Sequence, residues 1–300
     1  MIARYPFATA DFQRGMVEVG GTVFFVDSGH AQTADSPSQG RTPDTPFATL
    51  DYAIGRCTAS NGDVIYVMPG HSETITTAAL MDVAGVSVIG LGRGRNRPTF
   101  TGSGAIDVLN VTAANCHIEN IRLLGASADV TALLNIAAAD LTVEKVSFEP
   151  AETPLMSVTV ASGGHRFHMK DCKWLSTANG PDCAIDFETS ASDNWIVEDC
   201  FFNFVNAGLD LAVIRANADA TAGGIVKNCV AIGLDAACLF VDFNSSHNVG
   251  EGLIVNSTWQ HIAAATIANG VDLGGYGTSH ESGGNDGPTR AAALPATTAS

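Results

Sequence analysis

This 300-residue chain is short of charge, of basic residues and of long apolar runs, and each shortage excludes something. Only 15% of its residues are charged, so long charged helices are not expected. No apolar run approaches the roughly 18 to 20 residues of a membrane-spanning helix, so no membrane insertion is expected. Residues 1–7 (MIARYPF) carry no apolar signal-peptide segment, and the chain reads as soluble and unsecreted. Fifteen Lys and Arg face 31 Asp and Glu, a net charge of −16. A sequence-independent nucleic-acid binder needs a basic surface to neutralise phosphates, so that class is excluded. Seven cysteines with no CxxC pair offer neither a disulfide framework nor a zinc knuckle, and most are expected to be buried free thiols.

What the chain does have is 46% hydrophobic residues, 31 Gly and an internal repeat. That is enough apolar material for a sizeable core, so intrinsic disorder and a disulfide-stapled miniprotein are excluded. Six segments read alike: 118–123 (IENIRL), 143–148 (VEKVSF), 169–174 (MKDCKW), 197–202 (VEDCFF), 226–231 (VKNCVA) and 255–260 (VNSTWQ). With the fourth position as marker (Ile121, Val146, Cys172, Cys200, Cys229, Thr258), the steps are 25, 26, 28, 29 and 29 residues. An earlier copy, 88–91 (VIGL), precedes them. A second apolar segment leads each copy: 105–111, 133–137, 155–160, 184–188, 211–216 and 238–243, rich in β-branched and aromatic residues. No gap holds the helical periodicity that a crossover between parallel strands would need, so βαβ units are excluded. A period of this length with short strands and tight turns predicts an all-β fold, a parallel β-helix of about seven to eight coils stacked about 4.8 Å apart.

Stacking assigns roles to single residues. Cys172, Cys200 and Cys229 should line up inside the coil with Val146 and Ile121, as small fillers of a crowded corner. Asn120, Asp171, Asp199 and Asn228 occupy the turn position before them, where Asn and Asp tolerate a left-handed backbone and stack as ladders. Residues 46–57 (PFATLDYAIGRC) place Phe47, Leu50, Ala53, Ile54 and Cys57 on one helical face with Thr45 as N-cap, a helix expected to plug the N-terminal opening. The resulting division is an arm over 1–21, a cap and first coils over 22–104, the β-helix over 105–273 and a low-complexity tail over 274–300.

The word order of the N-terminal region then carries a resemblance: VFFVDSG, a Ser/Pro/Gly/Asp loop, TPDTPFATLDYAI, NGDVIYVMPGHSETI and VSVIGLGRGRNRPTF. It resembles right-handed parallel β-helix proteins of the pectate-lyase-like superfamily, most closely the short β-helix proteins of tailed-phage virions. The resemblance implies a right-handed coil, a homotrimer and a structural, glycan-binding or depolymerising role. The expectation drawn is a non-enzymatic virion protein of the capsid-decoration or cement type, docked to capsid or tail proteins through its arm and tail. The alternative is a tailspike-type protein that binds or depolymerises host surface polysaccharide, as a lyase or glycoside hydrolase.

The superfamily's catalytic words are missing: no Asp-Asp pair, no Gly-His-Gly, no Arg-x-Lys. The candidate site is therefore Asp186, Arg215 and Asp242, which fall at equivalent places in successive strands, with Asp107 and Asn135 continuing the column. Such a ladder reads either as an alternating-charge structural column or as a sugar groove with a retaining-type carboxylate arrangement. His165 and His168 are expected on opposite faces of a strand, Asp27, Asp35 and Asp44 sit in a long loop as turn formers or calcium ligands, and Arg93, Arg95 and Arg97 form the basic cluster. No cofactor and no metal is expected.

Overall fold

A computed structural model describes residues 20–127, 129–150, 156–176, 181–187, 192–204, 211–216, 223–234, 238–243, 252–261, 271–272 and 280–281. Each coil passes through three short strands in fixed order, and each strand pairs in parallel with its equivalents in the coils before and after. The first sheet stacks ten strands, from Val23–Val26 and Val64–Val67 to Gly252–Val255 and His280–Glu281. The second, from Ser72–Ile75 to Thr258–His261, and the third, from Ala79–Met81 to Val271–Asp272, stack eight each. This is the all-β parallel β-helix that the repeat predicts. Apart from Gly20 and Gly21 the arm assigned from sequence lies outside the described residues, and so does the tail, except that His280–Glu281 adds a strand to the first sheet beside Ile254 and Val255.

The repeated six-residue words are not single strands. Each holds the end of a first-sheet strand, a corner and the start of a second-sheet strand, as in Thr142–Glu144 followed by Ser147–Pro150. The corner residue takes left-handed backbone: φ is 57° at Asn120, 54° at Lys145, 53° at Asp171, 54° at Asp199, 53° at Asn228 and 49° at Asn256. Asn and Asp enter this region at least cost after Gly. Corner N–H groups donate to the next coil, Asn120 to Glu144 O and Asp199 to Lys227 O, both at 3.0 Å. A second left-handed corner, unforeseen in the sequence, precedes the first sheet at Asn115, Asp140, Arg166 and Asn194, with Gly85 and Gly223 in series.

Inside the coil, Ile121, Val146, Cys172, Cys200 and Cys229 form the predicted buried column. Its next member is Ser257, not Thr258: Ile254 pairs with Val226, and the Ser257 hydroxyl accepts from Cys229 N at 3.2 Å. The sixth copy thus starts one residue earlier than its lettering suggests, because the left-handed Asn256 sets the corner. The thiols donate to carbonyls one coil away, Cys172 to Val143 O at 3.5 Å and Cys229 to Val197 O at 3.6 Å. Burial pushes the Cys200 thiol well above the ordinary thiol range, so this central member of the column stays protonated. Beside it Phe148, Trp174 and Phe202 stack across three coils at centroid spacings of 4.6 and 4.3 Å.

The cap helix is shorter than expected, Leu50–Ile54, and its N-cap is Thr49, whose hydroxyl accepts from Tyr52 N at 3.3 Å. Residues 47–49 are held extended instead. Phe47 bridges to Val26, and the Asp35 carboxylate accepts from the N–H groups of Ala48 and Thr49 at 2.9 and 3.2 Å. Phe47, Leu50, Ala53 and Ile54 are still fully buried, against the first strands of the first and third sheets. Gly40, at φ 79°, lies so close to the Phe47 ring that any Cβ would strike it.

Candidate functional site

Register across the third sheet builds a polar column on the outer face: Asn110, Asn135, Thr159, Asp186, Arg215 and Asp242 are successive partners. Asp186, Arg215 and Asp242 are therefore neighbours, as the spacing implied. Asp107 is not in the column. It pairs with Ala132 and reaches the column only through its carboxylate, which accepts from Asn135 Nδ2 at 3.0 Å. The reason is coil length: the step from Asn110 to Asn135 is 25 residues, shorter than the 29 and 27 that separate Asp186, Arg215 and Asp242.

The column's charges are occupied. Arg215 Nε donates to Asp186 Oδ1 at 2.7 Å, and Asp186 is only 3% exposed. Burial opposes the Arg215 charge most strongly, but the hydrogen bond to Asp186 together with the fields of Cys183, Asp186 and Asp182 outweighs it and raises its pKa. Nearby, burial pushes the Cys183 thiol up to about 12. The strands of Asp186 and Asp242 are two spacings apart, about 9.5 Å, with Arg215 between them. A retaining glycosidase needs carboxylates about 5.5 Å apart, so both would have to lean across Arg215. Farther along, the Oδ1 atoms of Asn110 and Asn135 are shut off from solvent and have no hydrogen-bond partner among the described residues.

The other candidates separate. His168 Nε2 lies 3.0 Å from Glu198 Oε1, whereas His165 sits in the connection before its strand and accepts from Asp193 N through Nδ1 at 3.2 Å. They share no ligand position. Asp27 accepts from Gly29 N at 2.9 Å and Asp35 caps residues 48–49, so both do turn work, and with Asp44 they form no common cluster among the described residues. Arg93 and Arg97 flank a 3-10 turn over Gly94–Asn96 that contains Arg95; Arg93 and Arg95 are exposed and Arg97 is half-buried.

Two arrangements were not visible in the sequence. Buried His71 accepts from Ser28 N through Nδ1 at 3.0 Å, and its Nε2 lies 3.2 Å from Glu73 Oε2, which also accepts from Leu50 N. The residue types are those of a nucleophilic triad, yet the Ser28 hydroxyl donates to Ser72 O at 2.8 Å, away from the imidazole. The set pins the long loop to the start of the cap helix. On the outer face of the first sheet, Glu119, Glu144, Lys170, Glu198 and Lys227 are successive partners. Lys227 Nζ lies 2.6 Å from Glu198 Oε2, and this bond, followed by His168, holds the Glu198 carboxyl below its usual range against the effect of burial. At the column's lower end, His117, Glu119 and Glu144 each offer one ligand atom within 4.8 Å of the others.

Neither a family model nor a curated protein sequence matches the chain. Solved structures do. A pectate lyase, Pel9A, superposes at TM-score 0.59 and 12% identity over 90% of this chain and 69% of its own. A pectin methylesterase in complex with a hexasaccharide superposes at TM-score 0.50 and 10% identity, covering 88% and 90%. ORF18 of Geobacillus virus E2 aligns at TM-score 0.37 and 12% identity, covering 87% and 62%. The three-sheet coil and the first two superpositions define the class: a parallel β-helix with the pectate-lyase-like fold. Among the described residues, no helix is long and apolar enough to cross a membrane.

Proposed function

We propose that this chain is a non-enzymatic structural protein of a phage particle, a homotrimeric β-helix of the decoration or cement type, attached to capsid or tail proteins through its terminal segments. The phage part rests on the word order of residues 22–100. The non-enzymatic part rests on one observation: Asp186, the best-placed carboxylate of the candidate site, is 3% exposed and bound to Arg215. A general acid, base or nucleophile must reach its substrate, and a carboxylate held as the centre of a cross-coil ion pair is spent on holding two coils together. Deleting residues 274–300 should leave the coil folded by circular dichroism and abolish incorporation into particles. Unchanged incorporation overturns the attachment reading.

A second reading, polysaccharide binding along the third sheet, is favoured by the orphaned Oδ1 atoms of Asn110 and Asn135. Among the described residues they are acceptors without donors within the polar column, and sugar hydroxyls supply donors. Bacterial surface polysaccharide incubated with the protein should then be retained, and Asn135→Ala should weaken retention. No retention removes this reading. New reducing ends or unsaturated products overturn the non-enzymatic one.

A further inference from the structure

We propose that His117, Glu119 and Glu144 form a binding site for one divalent transition-metal ion of the zinc class, which clasps two neighbouring coils on the outer face of the first sheet. His117 and Glu119 belong to the strand His117–Glu119, and Glu144 to its partner Thr142–Glu144, with Glu119 directly opposite Glu144. Positions one and three of a short strand point to the same side, so the imidazole and both carboxylates share one face. Their ligand atoms already lie within 4.8 Å of one another. Nitrogen and oxygen ligands sit about 2.0 to 2.2 Å from zinc, so two of them on one ion are at most about 4.4 Å apart. Small side-chain rotations close that gap. An imidazole with two carboxylates suits a borderline ion better than calcium or magnesium, which favour all-oxygen sets.

Two independent features single out this place. The charge column above it alternates in sign, Glu144, Lys170, Glu198, Lys227, and each Lys lies within 4.0 Å of Glu198. Below Glu144 the alternation breaks, and like charges face each other across adjacent strands, an arrangement that is destabilising unless a cation sits between. Next to that break, His117 Nε2 is shut off from solvent and has no hydrogen-bond partner among the described residues. Lys145 supplies part of the missing positive charge, its Nζ 2.6 Å from Glu119 and 3.8 Å from Glu144. Its side chain is half exposed, so an arriving ion displaces the ammonium into solvent.

The experiment is calorimetric titration of zinc chloride into the full chain at neutral pH. One equivalent should bind, and the melting temperature should rise with added zinc. His117→Ala and Glu144→Gln should each weaken binding about 10-fold or more. Lys145→Ala should tighten it, because the competing cation is gone, which no adventitious surface site would show. His168→Ala, on the same face but paired with Glu198, should change nothing. If His117→Ala disturbs the circular dichroism, Glu144→Gln, which keeps the side chain's size, decides. No saturable binding at one equivalent, binding that survives Glu144→Gln, or a Lys145→Ala variant that does not tighten it overturns the proposal.

Discussion

Asp63 shows how much of this fold hangs on single side chains at the first coils. It is 1% exposed, and its carboxylate accepts from Thr22 N, Thr58 N and Asn61 Nδ2, each at 2.6 Å. Burial pushes its pKa up, but these three donors and Arg41 outweigh burial and leave it below the ordinary value of 3.8. Asp63→Asn turns two acceptor sites into one and should cost about 1.5 to 3 kcal/mol in denaturant unfolding, since charge-assisted hydrogen bonds are lost in a buried place. The same group sets a pH dependence. Its folded pKa is depressed, so the unfolded chain takes up the proton first. The stabilisation is complete above the ordinary carboxylate value and drains as pH falls from 3.8 toward the folded value. Melting temperatures followed from pH 7 down to about pH 3 should fall in the wild type, and fall less in Asp63→Asn. None of this is legible in the sequence, where Gly62-Asp63 reads as an ordinary turn. Thr22, 41 residues away, becomes a partner only when the first two strands pair.

At the scale of elements, the corners carry the architecture. Asn228 combines left-handed backbone, φ 53°, with a side-chain bond from Nδ2 to Asp199 Oδ1 at 3.0 Å, one coil away. Asn228→Ala should therefore destabilise by about 1 to 2 kcal/mol, and Asn228→Gly by less because Gly keeps the backbone at no steric cost. Equal losses would show that the ladder bond, not the backbone, is what counts. The corners at Asn120, Asp171, Asp199 and Asn228 were legible because Asn and Asp recur there at the coil period. Lys145 and Arg166 were not, since neither favours left-handed backbone. Both stand in corners and reach back one coil, Lys145 to Glu119 at 2.6 Å and Arg166 to Asp140 at 2.7 Å. The cap helix was legible as an apolar face over Phe47, Leu50, Ala53 and Ile54. Its length was not, because Asp35 from a loop thirteen residues away holds Ala48 and Thr49 extended.

Across the described residues the apolar interior is continuous, yet each coil touches mainly its neighbours, so stability is a chain of local terms. A lesion at the cap should stay near the cap. Phe47→Ala, which empties space beneath the first coil, should speed amide hydrogen exchange in Val23–Val26 and Val64–Val67 while residues around Phe202 keep their protection. Uniform loss of protection would show that the solenoid unfolds as one unit.

The sequence by itself determined the class of fold, because a recurring period of apolar and turn residues leaves a chain without crossover helices one way to bury its strands, coil upon coil. It also placed Asp186, Arg215 and Asp242 beside one another, since those coils differ little in length. Only the tertiary structure decided which residue sits above which where coil length changes, moving Asp107 out of the polar column and Ser257 into the thiol column. Only the structure, too, brought His117 and Glu119 against Glu144. Side chains on adjacent coils are some 25 residues apart in the chain and one strand spacing apart in space, and an error of one residue in register sends a side chain to the opposite face.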